Sequence, residues 1–560
     1  MGVNMDEIQY DNMFDKITEL TKKMVGISSV NASEGERKIG DFLYDYLCHI
    51  PYFIKHPDQV MAVELANDPL GRRNVFALLL GEKDDSKDTI MLHGHTDTVG
   101  VEDFGSLSGY AFDCDRLMEE LKKIQDTLPE EVREDLNSGD YLFGRGTSDM
   151  KGGDAVHMVV LEELSKYPER LSGNIQLSLN PVEESLHTGI IEGLDTIRLL
   201  RDKYGLNYLF GINNDFICGM YPGDETRYVY TGSVGKLLPC YYVRGRETHV
   251  GQAFEGFDAC MVAAEIVKAV NLNCSYCDGY MGEYPAPPSV LRMQDLKPYY
   301  SVQTPFSSFV YFNYMVHNKN VNEVLSEMKQ VAAGALAAVS KGINDRYLDY
   351  CRITGITHHP VVHKTQVLEY REVYEKAKAL FHEDLDAYID KLTEASVKAG
   401  EDKRNTALKI VEALSDIANI KLPTVVVFFA APHCPHNTLK SEVPEENVLI
   451  GKLQEILDGF GKEHGESFKI MHFFPSLTDS SYLKIDDDAQ SIQALRDNFP
   501  KQEVLYPVPY ERIRSLNIPG LNYGTFGKDA HKWTERVKMS YSFDKLPKLI
   551  LKTIETYLMR

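Results

Sequence analysis

Two hydrophobic periods alternate along the first 225 residues of the chain. Residues 74–80 (NVFALLL) and 89–92 (TIML) are short continuous apolar runs, the pattern of strands buried on both faces. Residues 153–167 switch to helical spacing, with Ala155, Val156, Val159, Val160 and Leu164 on one side. Residues 174–179 (NIQLSL) return to period two, with Ile175, Leu177 and Leu179 on one face, and 209–212 form another short apolar run. This alternation predicts an α/β domain, a central sheet flanked by helices.

A second pattern starts near Tyr228. Residues 228–244 read as one or two strands, 259–270 as an amphipathic helix, 279–289 as a loop with three prolines, 290–295 and 309–316 as strands, and 322–340 as a helix. That β-α-β-β-α order predicts a small α+β, ferredoxin-like domain. Residues 364–420 are charge-rich and proline-free with helical periodicity, and predict an insertion of two or three helices. Further on, 423–430 (PTVVVFFA) reads as a buried strand, 446–457 as a helix, and 516–523 as a strand entering a loop with Asp529 and His531. The expected organisation is one domain from 1–227 and 439–560, and an inserted domain over 228–438 that carries the helices at about 364–420.

Length and charge narrow the function. A chain of 560 residues exceeds one ordinary domain. A net charge of −23 argues against sequence-independent nucleic-acid binding, which needs a basic footprint, and against anionic membranes. No apolar run reaches the ~18 residues of a membrane helix. The acidic start lacks a secretory signal, and nine scattered cysteines suit a reducing compartment, so a cytoplasmic location is expected. Cys274 and Cys277 form one CxxC without a second pair and read as two unrelated thiols.

The chemistry-bearing residues cluster at predicted strand ends. His95 and Asp97 (LHGHTD) follow one strand, where open α/β sheets place their ligands. A metal-binding His usually donates its second ring N–H to a carboxylate, although an isolated His-x-Asp also occurs as a structural pair. In Gly144-Arg145-Gly146-Thr147-Ser148-Asp149-Met150-Lys151-Gly152-Gly153, four glycines surround one acid just before a helix; the phosphate-loop spacing is absent. Glu183 and Glu184 follow the strand at 174–179. Two converging carboxylates repel unless a cation intervenes, a conflict resolved if one binds metal and its neighbour acts as general base. Asp215 ends another strand, and His531 lies in a late polar loop beside the chain's single Trp. Imidazole with carboxylate, and no thiolate, suits a pair of Zn²⁺ ions, or Mn²⁺ or Co²⁺.

The blocks LHGHTDTV, GRGTSDMKGG, PVEES, INND, GRETHVGQAFEGFDA and GKDAHKWTE resemble those of the M20 metallopeptidases, amide hydrolases with two metal ions, in the same order over nearly the whole chain. The long form, with its helical insertion and SLTDSSYL segment, is similar to the RocB-type arginine-utilisation proteins. The resemblance implies a phosphorylase/hydrolase-like catalytic domain and a lid or dimerisation domain. It implies that His95, Asp149, Glu184, Asp215 and His531 bind two divalent metals, with zinc expected first and Asp149 bridging. Asp97 would orient His95, Glu183 would be the general base, and His249 would stabilise the oxyanion, reaching the partner subunit's site in dimeric relatives. A cis peptide after Asp149 is also implied. Asp215 lies farther from Glu184 than the pattern suggests, and Asp224 is the alternative ligand. Many relatives clamp the substrate carboxylate with an Arg where this chain has Tyr311-Phe312-Asn313-Tyr314-Met315, so Asn313 or another residue would serve.

The implied reaction is hydrolysis of an amide in a small amino-acid derivative or short peptide linked to arginine, with a homodimer possible and a lid closing over substrate. Two rivals stand beside it. One is a non-catalytic accessory protein of arginine catabolism on the same fold. The other is a thiol hydrolase using His433-Cys434-Pro435-His436, whose bland alternative is a proline-bounded loop. Thr478-Asp479-Ser480-Ser481 matches a family segment near the substrate cleft, or is simply a helix cap.

Overall fold

The structure, a computed structural model, describes residues 13–559. The chain divides into two units. The first comprises the chain up to Ser233, Asn437–Ile485 and the segment from Pro509; the second comprises Val234–His436 and Asp486–Val508.

The first unit is built on eight strands: β1 (Val60–Glu64), β2 (Arg73–Leu79), β3 (Asp88–His95), β4 (Asn174–Asn180), β5 (Asn207–Asn213), β6 (Arg227–Tyr230), β7 (Phe468–Met471) and β8 (Gly520–Asn522). Their spatial order is β1-β2-β4-β3-β5-β8-β6-β7. Strands β4, β3, β5 and β8 run parallel, so their carboxyl ends line one edge. The sheet is mixed because β1, β2 and β6 each make an antiparallel pairing. Strand β3 is buried from Thr89 to His95, which explains its unbroken apolar reading. Helices Met13–Val25, Glu34–Cys48, Lys151–Leu164 and Leu546–Leu558 contribute to the main core with the β3 and β4 side chains Ile90, Leu92, Ile175 and Leu177. Thr188–Tyr204 covers another face, where Leu200 joins Leu78 and Leu206.

Two differences from the sequence reading concern where the units exchange. The strand at Arg227–Tyr230, expected to open the second domain, pairs in parallel with β7 inside the first sheet. Residues 486–508, expected in the catalytic domain, belong to the second unit. There, Ser491 Oγ accepts from the Val321 amide at 3.0 Å and the Asn498 carbonyl accepts from the Phe429 amide at 2.8 Å. Neither pairing leaves a local pattern, since both join residues far apart in sequence.

The second unit holds a sheet ordered Ser289–Asp295, Ser307–Val316, Pro239–Arg244, Thr424–Phe429, Gln366–Glu369. The first three pairings are antiparallel and the last is parallel. Ala259–Val270 is helical as its periodicity predicts. Val321–Thr354 runs well beyond 340, from a capping box at Asn320 and Glu323 to Gly355 at φ 72°. The insertion has three helices, Tyr370–Leu380, Leu385–Lys398 and Lys403–Ile417. Gln366–Glu369, read as helical, is instead an edge strand too short to show a period. Among the described residues no helix is long and apolar enough to cross a membrane.

Gly153, in the first turn of its helix, meets the loop after β5 backbone to backbone. A Cβ there would lie 2.5 Å from the Asn214 carbonyl oxygen. Gly153→Ala should therefore destabilise the first unit by about 1–3 kcal/mol. Denaturant unfolding checks it, and an unchanged midpoint would contradict this packing.

Candidate metal centre

The carboxyl edge of the first sheet gathers side chains from five chain segments. His95 ends β3 and faces Asn180 in register, so the Pro181–Glu184 turn starts beside it. Gly94 lets the strand pass close beneath: a Cβ would lie 2.2 Å from Asp154 Oδ1. Asp149 sits in the glycine loop before helix Lys151–Leu164, followed by a cis peptide to Met150 as the resemblance implies. Asp215 follows β5, and His531 lies in the loop after β8.

Asp149 stands between the two histidines. Its Oδ1 is 3.0 Å from His95 Nε2 and its Oδ2 is 3.1 Å from His531 Nε2. His531 Nε2 is also 3.0 Å from Glu184 Oε1. Ligand atoms of His95, Asp149 and Glu184 lie within 4.8 Å of one another, compact enough to hold a metal ion. Glu183 is alongside, with Oε2 4.0 Å from His95 Nε2. His95, Asp149, Glu183 and Asp215 are all buried.

Asp97 organises the strand end. It is fully buried, and its two oxygens accept the Glu183 and Glu184 amides, each at 3.0 Å. The Asn31 side chain donates to it at 3.0 Å, and Asp97 Oδ1 lies 3.7 Å from His95 Nδ1. Asp97 thus sets the direction of the glutamate pair as well as facing the histidine.

The charges do not balance within the protein. Burial opposes protonation of His95, but Glu183, Asp149 and Asp97 outweigh it and hold the ring well above its ordinary range. Hydrogen bonds to Asp149 and Glu184 push His531 up to about 11. Asp149 is pulled down by the two imidazoles against its burial. Burial, then repulsion from neighbouring carboxylates, raises Glu183 and Glu184 and lifts Asp215 to about 8. Four carboxylates against the His95 and His531 imidazoles form an anionic cluster that divalent cations would neutralise, and the oxygen–nitrogen donor set suits zinc, manganese or cobalt.

Asp224 is placed differently. Its carboxyl accepts from the Tyr228 hydroxyl at 2.7 Å and from the Met220 and Thr226 amides, each at 3.0 Å, all within its own turn. His249 is in the second unit, where it caps a short 3-10 helix and its Nδ1 accepts from the Gly251 amide at 3.1 Å. Asn313, on Ser307–Val316, has a buried Oδ1 without a hydrogen-bond partner. At the thiol alternative, Cys434 is buried, its backbone pairs with Lys236, and His436 Nδ1 lies 3.0 Å from Asp487 Oδ2.

Sequence reasoning assigned no role to Glu535, although it closes the GKDAHKWTE block. Glu535 Oε1 accepts the Gly146, Ser148 and Asp149 amides at 2.9, 3.2 and 3.3 Å. Its Oε2 takes Arg145 Nη1 at 2.7 Å, and Arg145 Nη2 reaches Asp103 at 2.9 Å. The glycine loop is therefore wrapped around a buried carboxylate that fixes Asp149. Only a loop rich in glycine before a helix hinted at such a nest. Asp529 similarly steadies the His531 loop by accepting from Thr534 and Arg536 at 2.8 and 2.6 Å.

Comparison with known proteins gives a consistent picture. The model of "Peptidase family M20/M25/M40" matches residues 125–456. Protein RocB of Bacillus subtilis (strain 168) is 36% identical over 549 residues, covering 98% of this chain and 96% of RocB. The uncharacterized protein YqjN of the same strain is 31% identical over 545 residues, covering 97% and 96%. The crystal structure of an M20 family metallo-carboxypeptidase from Sulfolobus solfataricus superposes with a TM-score of 0.51 at 10% identity, covering 97% of this chain and 99% of that one, a likeness of fold alone.

Two outcomes follow from this geometry. Glu535→Gln should leave the chain folded but weaken zinc binding about 10- to 100-fold, measured by competition with a chromogenic chelator. Unchanged affinity would show that the loop holds Asp149 without its carboxylate. With Asp215 held up to about 8 and His531 up to about 11, both are protonated in the cation-free protein near neutral pH. Zinc binding at about pH 7 should therefore release protons, and its affinity should rise with pH. Calorimetry in buffers of different ionisation enthalpy reads this directly; buffer-independent heats would contradict it.

Proposed function

The chain belongs to peptidase family M20/M25/M40, and from that premise we propose that it is a metal-dependent hydrolase of an amide bond in a small amino-acid derivative or short peptide. The observation that carries the reading is the cluster of His95, Asp149, Glu184 and the half-exposed His531, with Glu183 beside it. His95 and Asp215 would hold one divalent ion, Glu184 and His531 the other, and Asp149 would bridge. Zinc is the ion we expect. Such ions lower the pKa of bound water and polarise a carbonyl.

The chain's own groups supply the rest. The Glu183 carboxylate accepts a proton from the attacking water and returns it to the leaving amine, a role suited to a carboxyl raised by burial. Asp97 keeps the Glu183 and Glu184 backbone aimed along the cluster. On the family pattern we assign oxyanion stabilisation to His249. The similarity to RocB supports a substrate linked to arginine utilisation. That none of the nine cysteines is disulfide-bonded supports a cytoplasmic location.

The purified protein should carry about two equivalents of zinc, manganese or cobalt per chain. His95→Ala should lose metal. Glu183→Ala should keep it and lose hydrolysis of arginine, ornithine and citrulline amides by about 10²-fold or more. Absence of metal after reconstitution would overturn the hydrolase reading and leave an accessory protein on this fold.

A further inference from the structure

We propose that His187, anchored by Asp479, is a positioning residue for the carboxyl of Glu183. The inference rests on the hydrolase reading above and adds to it how the base is held. His187 Nδ1 lies 3.7 Å from Glu183 Oε1 and 3.1 Å from Asp479 Oδ1. On its other side, Glu183 Oε2 faces His95 at 4.0 Å. The base is thus flanked by two imidazoles, one on the metal-binding side and one behind it.

The backbone shows how this ring is aimed. Residues 182–187 form a tight turn in which the His187 amide donates to the Val182 carbonyl at 2.8 Å. Val182 and His187 both adopt positive φ, 72° and 50°, an uncommon conformation for residues other than glycine. The turn leads into helix Thr188–Tyr204 and folds the imidazole back toward Glu183. The ring is 1% exposed and packs 5.2 Å from the Tyr482 ring.

Asp479 is fixed just as firmly. Thr478 caps the short turn Asp479–Tyr482, and Thr478 Oγ1 accepts from Asn213 Nδ2 at 2.7 Å at the end of β5. Ser480 Oγ lies 3.1 Å from His93 Nε2 on β3. The segment that begins as a helix cap therefore ties together the strands bearing His95 and Asp215 and ends on His187. A separation of 3.7 Å is longer than a hydrogen bond. At that distance His187 orients the carboxyl electrostatically without taking up the lone pair that must receive the proton. A base displaced by a fraction of an ångström loses rate even when substrate and metal bind normally.

The test uses the metal-loaded full chain and the most active amide from the substrate series. His187→Phe keeps a ring against Tyr482 but removes the nitrogens. His187→Asn restores a donor close to the Nδ1 position. The expected result is a kcat about 10- to 100-fold lower for His187→Phe. KM should stay within about twofold, metal per chain should be unchanged, and the Asn variant should recover much of the loss. Asp479→Asn should show the same kcat-only loss in smaller degree, and serves if the Phe variant does not fold. Variants with wild-type kcat, or a loss that tracks metal content or melting temperature with no recovery by Asn, would overturn the inference. Failure of the wild type to hydrolyse any amide would instead remove the hydrolase reading, and this inference with it.

Discussion

Four carboxylates are buried at one edge of a sheet, and the organisation of the first unit follows from holding them there. Asp149, Glu183, Glu184 and Asp215 converge where water cannot screen them. His95 and His531 flank Asp149, and His187 faces Glu183, but the carboxylates outnumber them. A buried charge without a partner costs several kcal/mol, so such a cluster exists either protonated or paired with cations. The raised carboxyls and raised imidazoles are two sides of that condition. The same negative potential that makes the cation-free cluster take up protons would also favour a divalent ion there.

Holding like charges together needs a rigid frame, and the frame repeats one device. At three places a further carboxylate, itself bonded, fixes the segment that carries a candidate ligand, twice through backbone amides. Glu535 pins the Asp149 loop and is neutralised by Arg145. Asp97 pins the Glu183–Glu184 turn and is bonded by Asn31. Asp529 pins the His531 loop and is bonded by Arg536. Backbone amides are suitable handles because they direct a ligand without competing for the metal. The parallel strands set the starting point of each loop; the outer carboxylates decide where it ends.

What could be read from the sequence was local. The run at 89–92 announced β3 because both its faces are buried, and LHGHTD and GRGTSDMKGG stood out because composition and spacing lie within ten residues. Helix Ala259–Val270 matched its periodicity to the residue. What escaped was long-range. Glu535 acts on residues almost 390 positions earlier, and His187 meets Asp479 across 292. The strand Arg227–Tyr230 looked like the start of a new domain because its partner, Phe468–Met471, lies beyond the long Val234–His436 segment of the second unit. Four-residue Gln366–Glu369 had no period to show inside a helical, charge-rich stretch.

The choice between Asp215 and Asp224 shows what decides a ligand when spacing does not. Both are acids following β5, and distance along the chain favours neither. Asp224 spends its oxygens on Tyr228 and on the amides of its own turn, which hold its carboxyl below the usual range despite burial. It is already neutralised by hydrogen bonds and gains little from a cation. Asp215 accepts from the Phe216 amide at 2.8 Å, yet burial and the Asp149 charge still lift it to about 8. A carboxyl left that unsatisfied by its own protein, beside other acids, gains most from a divalent ion. The energetic deficit of the side chain, rather than its position in the motif, favours Asp215 over Asp224 as the fifth ligand of the proposed site.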